Sequence, residues 1–251
     1  MSDNKQLTAK IEPFDSFWEA PKDIEKGYTS FCKFYKRNYL KYVPKNKESN
    51  ILIVSCGPGY FVELLKKEGF NNVMGIDSDP GKIEYAKKRN LNCKVEDAFE
   101  FLEKENEYFD VIIAEQEINH LTKEEILIFL KLCWDNLNKD GLLIIHSLNG
   151  ANPIIGSESL AQNFDHYNTF TEYSMKQILK YSNFKEIKIF PLNLYIFYEN
   201  PLNYIGLLLD VVLKLLLRLS FIFYGKANRI FTKKIAAICR KNVVTTQDMS
   251  Q

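Results

Sequence analysis

Five short apolar runs recur along the chain: ILIVS (51–55), NVMGID (72–77), LNCKVED (91–97), FDVIIAE (109–115) and LLIIHSL (142–148). The first is wholly apolar and β-branched, as a strand is when its sheet is covered on both faces. Between the runs lie helix signals. Asp79 followed by Pro80 is an N-cap ahead of a proline at the first helical position. Thr122 and Glu125 form a capping box before Ile126, Phe129, Leu130, Cys133 and Leu137. Strands alternating with amphipathic helices predict βαβ units and an α/β, doubly wound sheet.

The flanks extend this plan. Residues 24–43 set Phe31, Phe34, Tyr35, Tyr39 and Tyr42 near helical spacing, which predicts a leading helix ended before Pro44. Thr171 opens a further helix to Tyr181, and residues 186–198 and 235–239 read as strands. With 251 residues, one decorated domain is expected rather than two. The expected division is a helical N-terminal cover over 1–48 and an α/β domain over 49–251, with an apolar helical insertion near 200–225.

Charge and cysteines exclude several classes. Thirty-three Lys and Arg against thirty-two Asp and Glu leave a net charge of +1, which removes the electrostatic case for nucleic acid. The five cysteines are scattered and hold no CxxC pair, so neither a disulfide framework nor a structural zinc site is expected. Reduced cysteines and a polar N-terminus without an apolar h-region predict a cytoplasmic protein.

The chemistry is expected at Gly57-Pro58-Gly59, where the first strand meets a helix. Glycines let a ligand approach the backbone, and a helix N-terminus offers amide hydrogens. A dinucleotide fingerprint fails because Val62 stands at its third glycine, and no G-K-[ST] follows to make a P-loop. The loop therefore suits a ligand without a pyrophosphate. Asp77, ending the second strand, can accept both hydroxyls of a ribose. Asp97, ending the third, can accept from an adenine amine.

CGPG (56–59), GID (75–77), EDA (96–98) and FDVII (109–113) resemble, in order and spacing, the successive motifs of class I S-adenosylmethionine-dependent methyltransferases. The resemblance implies a Rossmann-like, mostly parallel seven-stranded sheet and S-adenosylmethionine as cofactor. It sets Gly57 and Gly59 beside the methionine part, Asp77 and Ser78 at the ribose, and Asp97 and Ala98 at the adenine. Gln116 would line the same pocket. One departure stands out: Ser55 occupies a cofactor-lining position where the family usually has an acid, and Tyr28 of the leading helix is expected to compensate.

LNGANPI (148–154), DHYNTFT (165–171) and SNF (182–184) further resemble bacterial methyltransferases of capsule and O-antigen polysaccharide biosynthesis, with Leu148 in place of a proline. This implies O-methylation of a small glycan precursor: a nucleotide-linked sugar, a sugar phosphate or a phosphate-type modification. Glu117, Asn149 and Asn152 would touch the acceptor. An amino-sugar nitrogen, a lipid or quinone acceptor, or a module that binds cofactor without activity are the alternatives.

An alcohol needs a proton acceptor before it attacks, and histidine suits that task near neutral pH. The chain has His120, His146 and His166. His146 lies within a strand and is expected to be structural. His120 and His166 fall in loops beside the expected methyl group and are the candidate catalytic residues. Glu117, His120, Asp165 and His166 are ligand types, but their spacing fits no metal motif and no metal is expected. Cys56 is expected to be a small packing residue.

Residues 204–224 are apolar enough to suggest a membrane span, but Asp210, Lys214 and Arg218 interrupt them at i, i+4 and i+8. Packing under the sheet or a homodimer interface is preferred here over contact with a membrane surface.

Overall fold

The computed structural model describes residues 21–105, 107–115, 117–162, 164, 166–192 and 202–242. Seven strands form one sheet in the order β3-β2-β1-β4-β5-β7-β6. The strands are β1 (Ile51–Val54), β2 (Val73–Asp77), β3 (Cys93–Val95), β4 (Phe109–Ala114), β5 (Leu137–Leu148), β6 (Lys185–Leu192) and β7 (Lys234–Arg240). Strands β1 to β5 pair in parallel, and β7 runs antiparallel to both of its neighbours. This is the doubly wound, mostly parallel sheet expected from the alternation.

Helices cover both faces. On one lie α1 (Pro21–Asn38), α2 (Tyr60–Lys67) and α3 (Pro80–Lys88), closing over Ile51, Ile53, Val111, Ile113 and Ile144. On the other lie α4 (Ala98–Lys104), α5 (Lys123–Asn136) and α7 (Glu172–Tyr181), closing over Leu52, Val54, Ile112 and Leu143. The caps expected from the sequence are present: Asp79 accepts from the Gly81 and Lys82 amides, and Thr122 and Glu125 form the capping box. Thr171 opens α7 with a similar box, closed by Ser174.

The leading helix is held by aromatic packing. Tyr35 stacks on Phe61 of α2 with centroids 4.5 Å apart and rings parallel to within 1°. Such a pair adds about 0.5–1.5 kcal/mol beyond its burial. Arg89 clamps the arrangement by pairing with both Glu25 and Glu63.

Three elements depart from the sequence reading. Strand β5 starts at Leu137, read as helical: Leu137 pairs with Phe109 and Leu142 with Val111, so the expected turn is an irregularity inside the strand, with Asp140 at a left-handed φ of 62°. Helix α6 (Pro153–Gln162) had no clear signal beforehand. The expected strand over 186–198 is observed to Leu192, and its remainder lies outside the described residues.

The apolar segment is helix α8 (Leu202–Phe223), and it does not pack under the sheet. Leu208, Leu209, Val211, Leu215 and Ile222 are all exposed. The expectation of internal packing is therefore corrected: residues apolar enough for a core sit on a helix that stands off it.

Candidate functional site

The register of the sheet builds the site. Val54 pairs with Ile76 on one side and Ala114 on the other, and Ala114 pairs with Ile145. One residue further on, Asp77, Ser55, Glu115 and His146 form a row across four adjacent carboxyl ends. Side chains alternate along a strand, so the row continues the face of Ile53, Ile113 and Ile144, beneath α1. Open α/β sheets bind ligands at this edge.

The glycine loop turns at the middle of the row. Gly57 has φ of 55°, and a Cβ there would meet nothing within 4 Å, so the loop leaves space beside its backbone. Gly59 has φ of 82°, and a Cβ would come within 2.9 Å of Leu91. Cys56 fills the space over Gly75, in keeping with a packing role. Asp77 accepts from the Gly57 amide at 2.8 Å and from the Asp79 amide at 2.9 Å. Burial raises its carboxyl above the ordinary value, and these two hydrogen bonds work against that. Each carboxylate oxygen can accept a second hydrogen bond, enough for a ribose diol. Ser78 is exposed beside it.

Asp97 caps α4 through Oδ1, accepting from the Phe99 and Glu100 amides, and Ala98 is the first, buried residue of that helix. Tyr28 does not supply a carboxylate substitute. Its hydroxyl donates to the Pro58 carbonyl at 2.5 Å, and the Arg89 guanidinium lies 3.7 Å over its ring. It fastens the glycine loop to α1. Gln116 lies outside the described residues.

Helix α1 reaches the row at two further points. The Tyr35 hydroxyl donates to Glu115 Oε2 at 2.7 Å, and the Tyr39 hydroxyl hydrogen-bonds His146 Nδ1. Burial holds the His146 imidazole neutral, far below its ordinary pKa, with Lys234 adding to the effect. Burial also raises the Glu115 carboxyl to about 7, opposed by the Tyr35 hydrogen bond and Lys234 and assisted by the negative field of Asp77. Glu115 Oε1, both amide atoms of Asn119 and His146 Nε2 are buried without a hydrogen-bond partner among the described residues. Such atoms are uncommon in folded proteins. Here they lie on β4, β5 and the turn after β4, at the end of the sheet that bears the glycine loop.

Glu115 and the two tyrosines were not singled out from the sequence. The available signal was an acid closing the buried run FDVIIAE. What it lacked was the register that brings Glu115 beside Ser55, where the family's usual acid is missing. An orphaned carboxylate oxygen in the row where the glycine loop turns suits a cofactor with a cationic amino-acid end.

The two candidate histidines come together. His120 follows the 3-10 turn Glu117–Asn119, and its ring lies 4.7 Å from that of His166, edge to face. The Asn119 carbonyl accepts from the Tyr167 amide, tying the His166 loop to this turn. His166 Nδ1 is 3.0 Å from the Ser159 carbonyl. A carbonyl can only accept, so Nδ1 carries the proton, and in a neutral ring the lone pair is on Nε2. Asn149 and Asn152 have a different task from acceptor contact. Both are buried and donate to the carbonyls of Ile230, Phe231 and Thr232, holding the approach to β7.

A family model described as a methyltransferase domain matches residues 27–189. The chain belongs to this family. No curated protein matches the methyltransferase significantly. Among solved structures it is similar to a SAM-dependent methyltransferase from Archaeoglobus fulgidus, with 21% identity, a TM-score of 0.64, and 85% of this chain and 94% of that one covered. It is similar to the plantazolicin methyltransferase BpumL in complex with SAH, with 22% identity, a TM-score of 0.56, and coverage of 91% and 93%. A third is phosphoethanolamine N-methyltransferase 2 from Haemonchus contortus, at 15% identity and a TM-score of 0.61. There the methyltransferase aligns over 93% of its own length and 61% of the longer chain. The matched span contains α1 from Gly27 onward, the glycine loop, Asp77, Glu115 and both candidate histidines.

Proposed function

We propose that this methyltransferase uses S-adenosylmethionine to methylate an oxygen of a small glycan precursor in surface polysaccharide biosynthesis. The observation that carries the oxygen reading is the pairing of His120 with His166 near the carboxyl ends of β4 and β5. An alcohol is a poor nucleophile until its proton is accepted, whereas an amine attacks through its own lone pair. A site that gathers two imidazoles is therefore better matched to oxygen.

Bound S-adenosylmethionine supplies a methyl group made electrophilic by a sulfonium. The chain's residues do the rest. Asp77 holds the ribose diol, and Asp97 with Ala98 borders the adenine. Glu115 takes the methionine ammonium, standing in from the next strand for the acid absent at Ser55, and Tyr35 fixes its carboxylate. His120 or His166 would accept the hydroxyl proton, at Nε2 in the case of His166, while the protein orients the acceptor oxygen for attack on the methyl group the cofactor would supply. Helix α1 covers the site and excludes water, which strengthens every charge interaction inside it.

The test is a methyl-transfer assay with labelled S-adenosylmethionine and a panel of sugar nucleotides, sugar phosphates, amino sugars and phosphoethanolamine. Transfer to a sugar or phosphate oxygen is expected, with the site of methylation read by mass spectrometry. Turnover on an amine alone would replace the oxygen reading with nitrogen methylation.

A further inference from the structure

Helix α8 is amphipathic in the wrong sense for a helix that packs on its own domain. Ile205, Leu208, Val212, Leu215, Leu219 and Ile222 follow one another at steps of three and four residues, so they share one face. Each is between 47% and 65% exposed. Asp210 and Lys214 occupy the opposite face and form a half-buried ion pair, while Arg218 borders the apolar face and is exposed. Phe221, on that same charged side, packs edge-on against the buried Phe231 at 4.7 Å. The charged side is thus turned towards the domain and the apolar side away from it.

The surroundings of the helix indicate what covers the apolar side. Residues 202–234 contain one acid, Asp210, against six bases, a net of +5 in a chain whose total is +1. Arg218, Lys226, Arg229 and Lys233 are exposed. Two copies pairing through α8 would cover the apolar face but bring the basic segment no acid beyond Asp210 from the same segment of the second copy. An anionic lipid surface instead complements it, since each Lys or Arg near such a surface is attracted to it. Among the described residues no helix is long and apolar enough to cross a membrane, which leaves the interface plane.

We propose that α8 lies in the surface of an anionic membrane, with its apolar face among the acyl chains and the basic segment after it on the headgroups. The placement has a consequence for the site. Leu192, before α8, pairs with Lys234, after it, and Lys234 pairs with Leu148 at the carboxyl end of β5. Both connections of α8 therefore leave from the edge of the sheet that carries Asp77 and Glu115. Docking brings that edge to the lipid, where a membrane-borne acceptor would be presented. The lipid contact itself does not depend on the identity of the acceptor.

The test is flotation of the full chain with vesicles of phosphatidylcholine alone and of phosphatidylcholine with phosphatidylglycerol. Binding to the anionic vesicles is expected, weaker to the neutral ones, and falling as salt rises. The double variant Leu208→Glu/Leu219→Glu should lose about tenfold or more in vesicle binding, with thermal unfolding and S-adenosylhomocysteine affinity unchanged. Lys226→Gln and Arg229→Gln should each cost about fivefold on anionic vesicles only. The proposal is overturned if the wild-type chain stays with the unbound fraction on both vesicle types. It is equally overturned if sedimentation shows a stable dimer that Leu208→Glu/Leu219→Glu dissociates, since the apolar face would then belong to a second copy.

Discussion

Replacing His120 or His166 by Ala is expected to lower kcat for an alcohol acceptor by about two to four orders of magnitude in whichever variant removes the base. The rings are 4.7 Å apart, so one can accept the proton while the other orients the acceptor. The Ser159 carbonyl already fixes the tautomer of His166, which leaves the Nε2 lone pair to accept a proton. The two roles separate kinetically. Loss of the base lowers kcat with cofactor affinity intact, and loss of the orienting ring raises KM. The double variant should fall little below the worse single one, because residues acting as a unit are not additive. Saturating cofactor and steady-state rates on the same acceptor check this. If neither single variant loses even tenfold in kcat/KM, the chemistry needs no base, and an amine or an already ionised phosphate oxygen is the acceptor.

The second large effect concerns Glu115 and pH. Its carboxyl has a pKa of about 7 in the folded chain against an ordinary 4.5, with burial as the main cause. Tyr35 on α1, Asp77 on β2 and Lys234 on β7 act on it directly, and Tyr39 and Cys56 lie within its field. The folded state therefore keeps this proton longer than the unfolded chain does. The resulting stability is full below the unfolded value and is lost as pH rises through about 7, a span worth about 3 kcal/mol.

Cofactor binding should run the other way. An ammonium donates far more strongly to the ionised carboxylate than to the neutral acid, so affinity for S-adenosylhomocysteine should fall by up to about tenfold per pH unit below 7. Glu115→Gln removes that slope and costs about ten- to hundredfold at pH 8. Because the native carboxyl is protonated in the ligand-free protein at low pH, the two proteins should converge near pH 5.5. Calorimetric titrations from pH 5.5 to 8 check this. Curves that stay parallel across the range would remove Glu115 from the methionine subsite.

The elements that position the site were legible because local rules decide them. Asp79-Pro80 and Thr122 with Glu125 specify helix starts through their own hydrogen bonds, and ILIVS and FDVII are buried strands whatever surrounds them. The glycine loop and Asp77 were legible for the same reason, since each is a strand end in a short motif. Glu115 was not, because its meaning depends on pairing with a strand 60 residues earlier in the chain. Tyr35 and Tyr39 carried only a helical period, and nothing local marks which rings carry a hydroxyl aimed at a carboxylate or an imidazole. Asn149 and Asn152 illustrate the converse. A motif suggested acceptor contacts, whereas the chain returns near Phe231 and occupies both amides. For α8, composition alone allowed burial, pairing or lipid contact. The direction of its apolar face, set by where Phe221 meets Phe231, rules out burial, and the basic charge of the segment favours lipid over a second copy.

A crystal structure of the protein with S-adenosylhomocysteine tests the account at its centre. The ribose hydroxyls are expected on the Asp77 carboxylate, and the methionine ammonium within hydrogen-bond distance of Glu115 Oε1, with α1 and Tyr35 closed over it. A ligand whose ammonium lies away from Glu115, or whose ribose is held without Asp77, would contradict it.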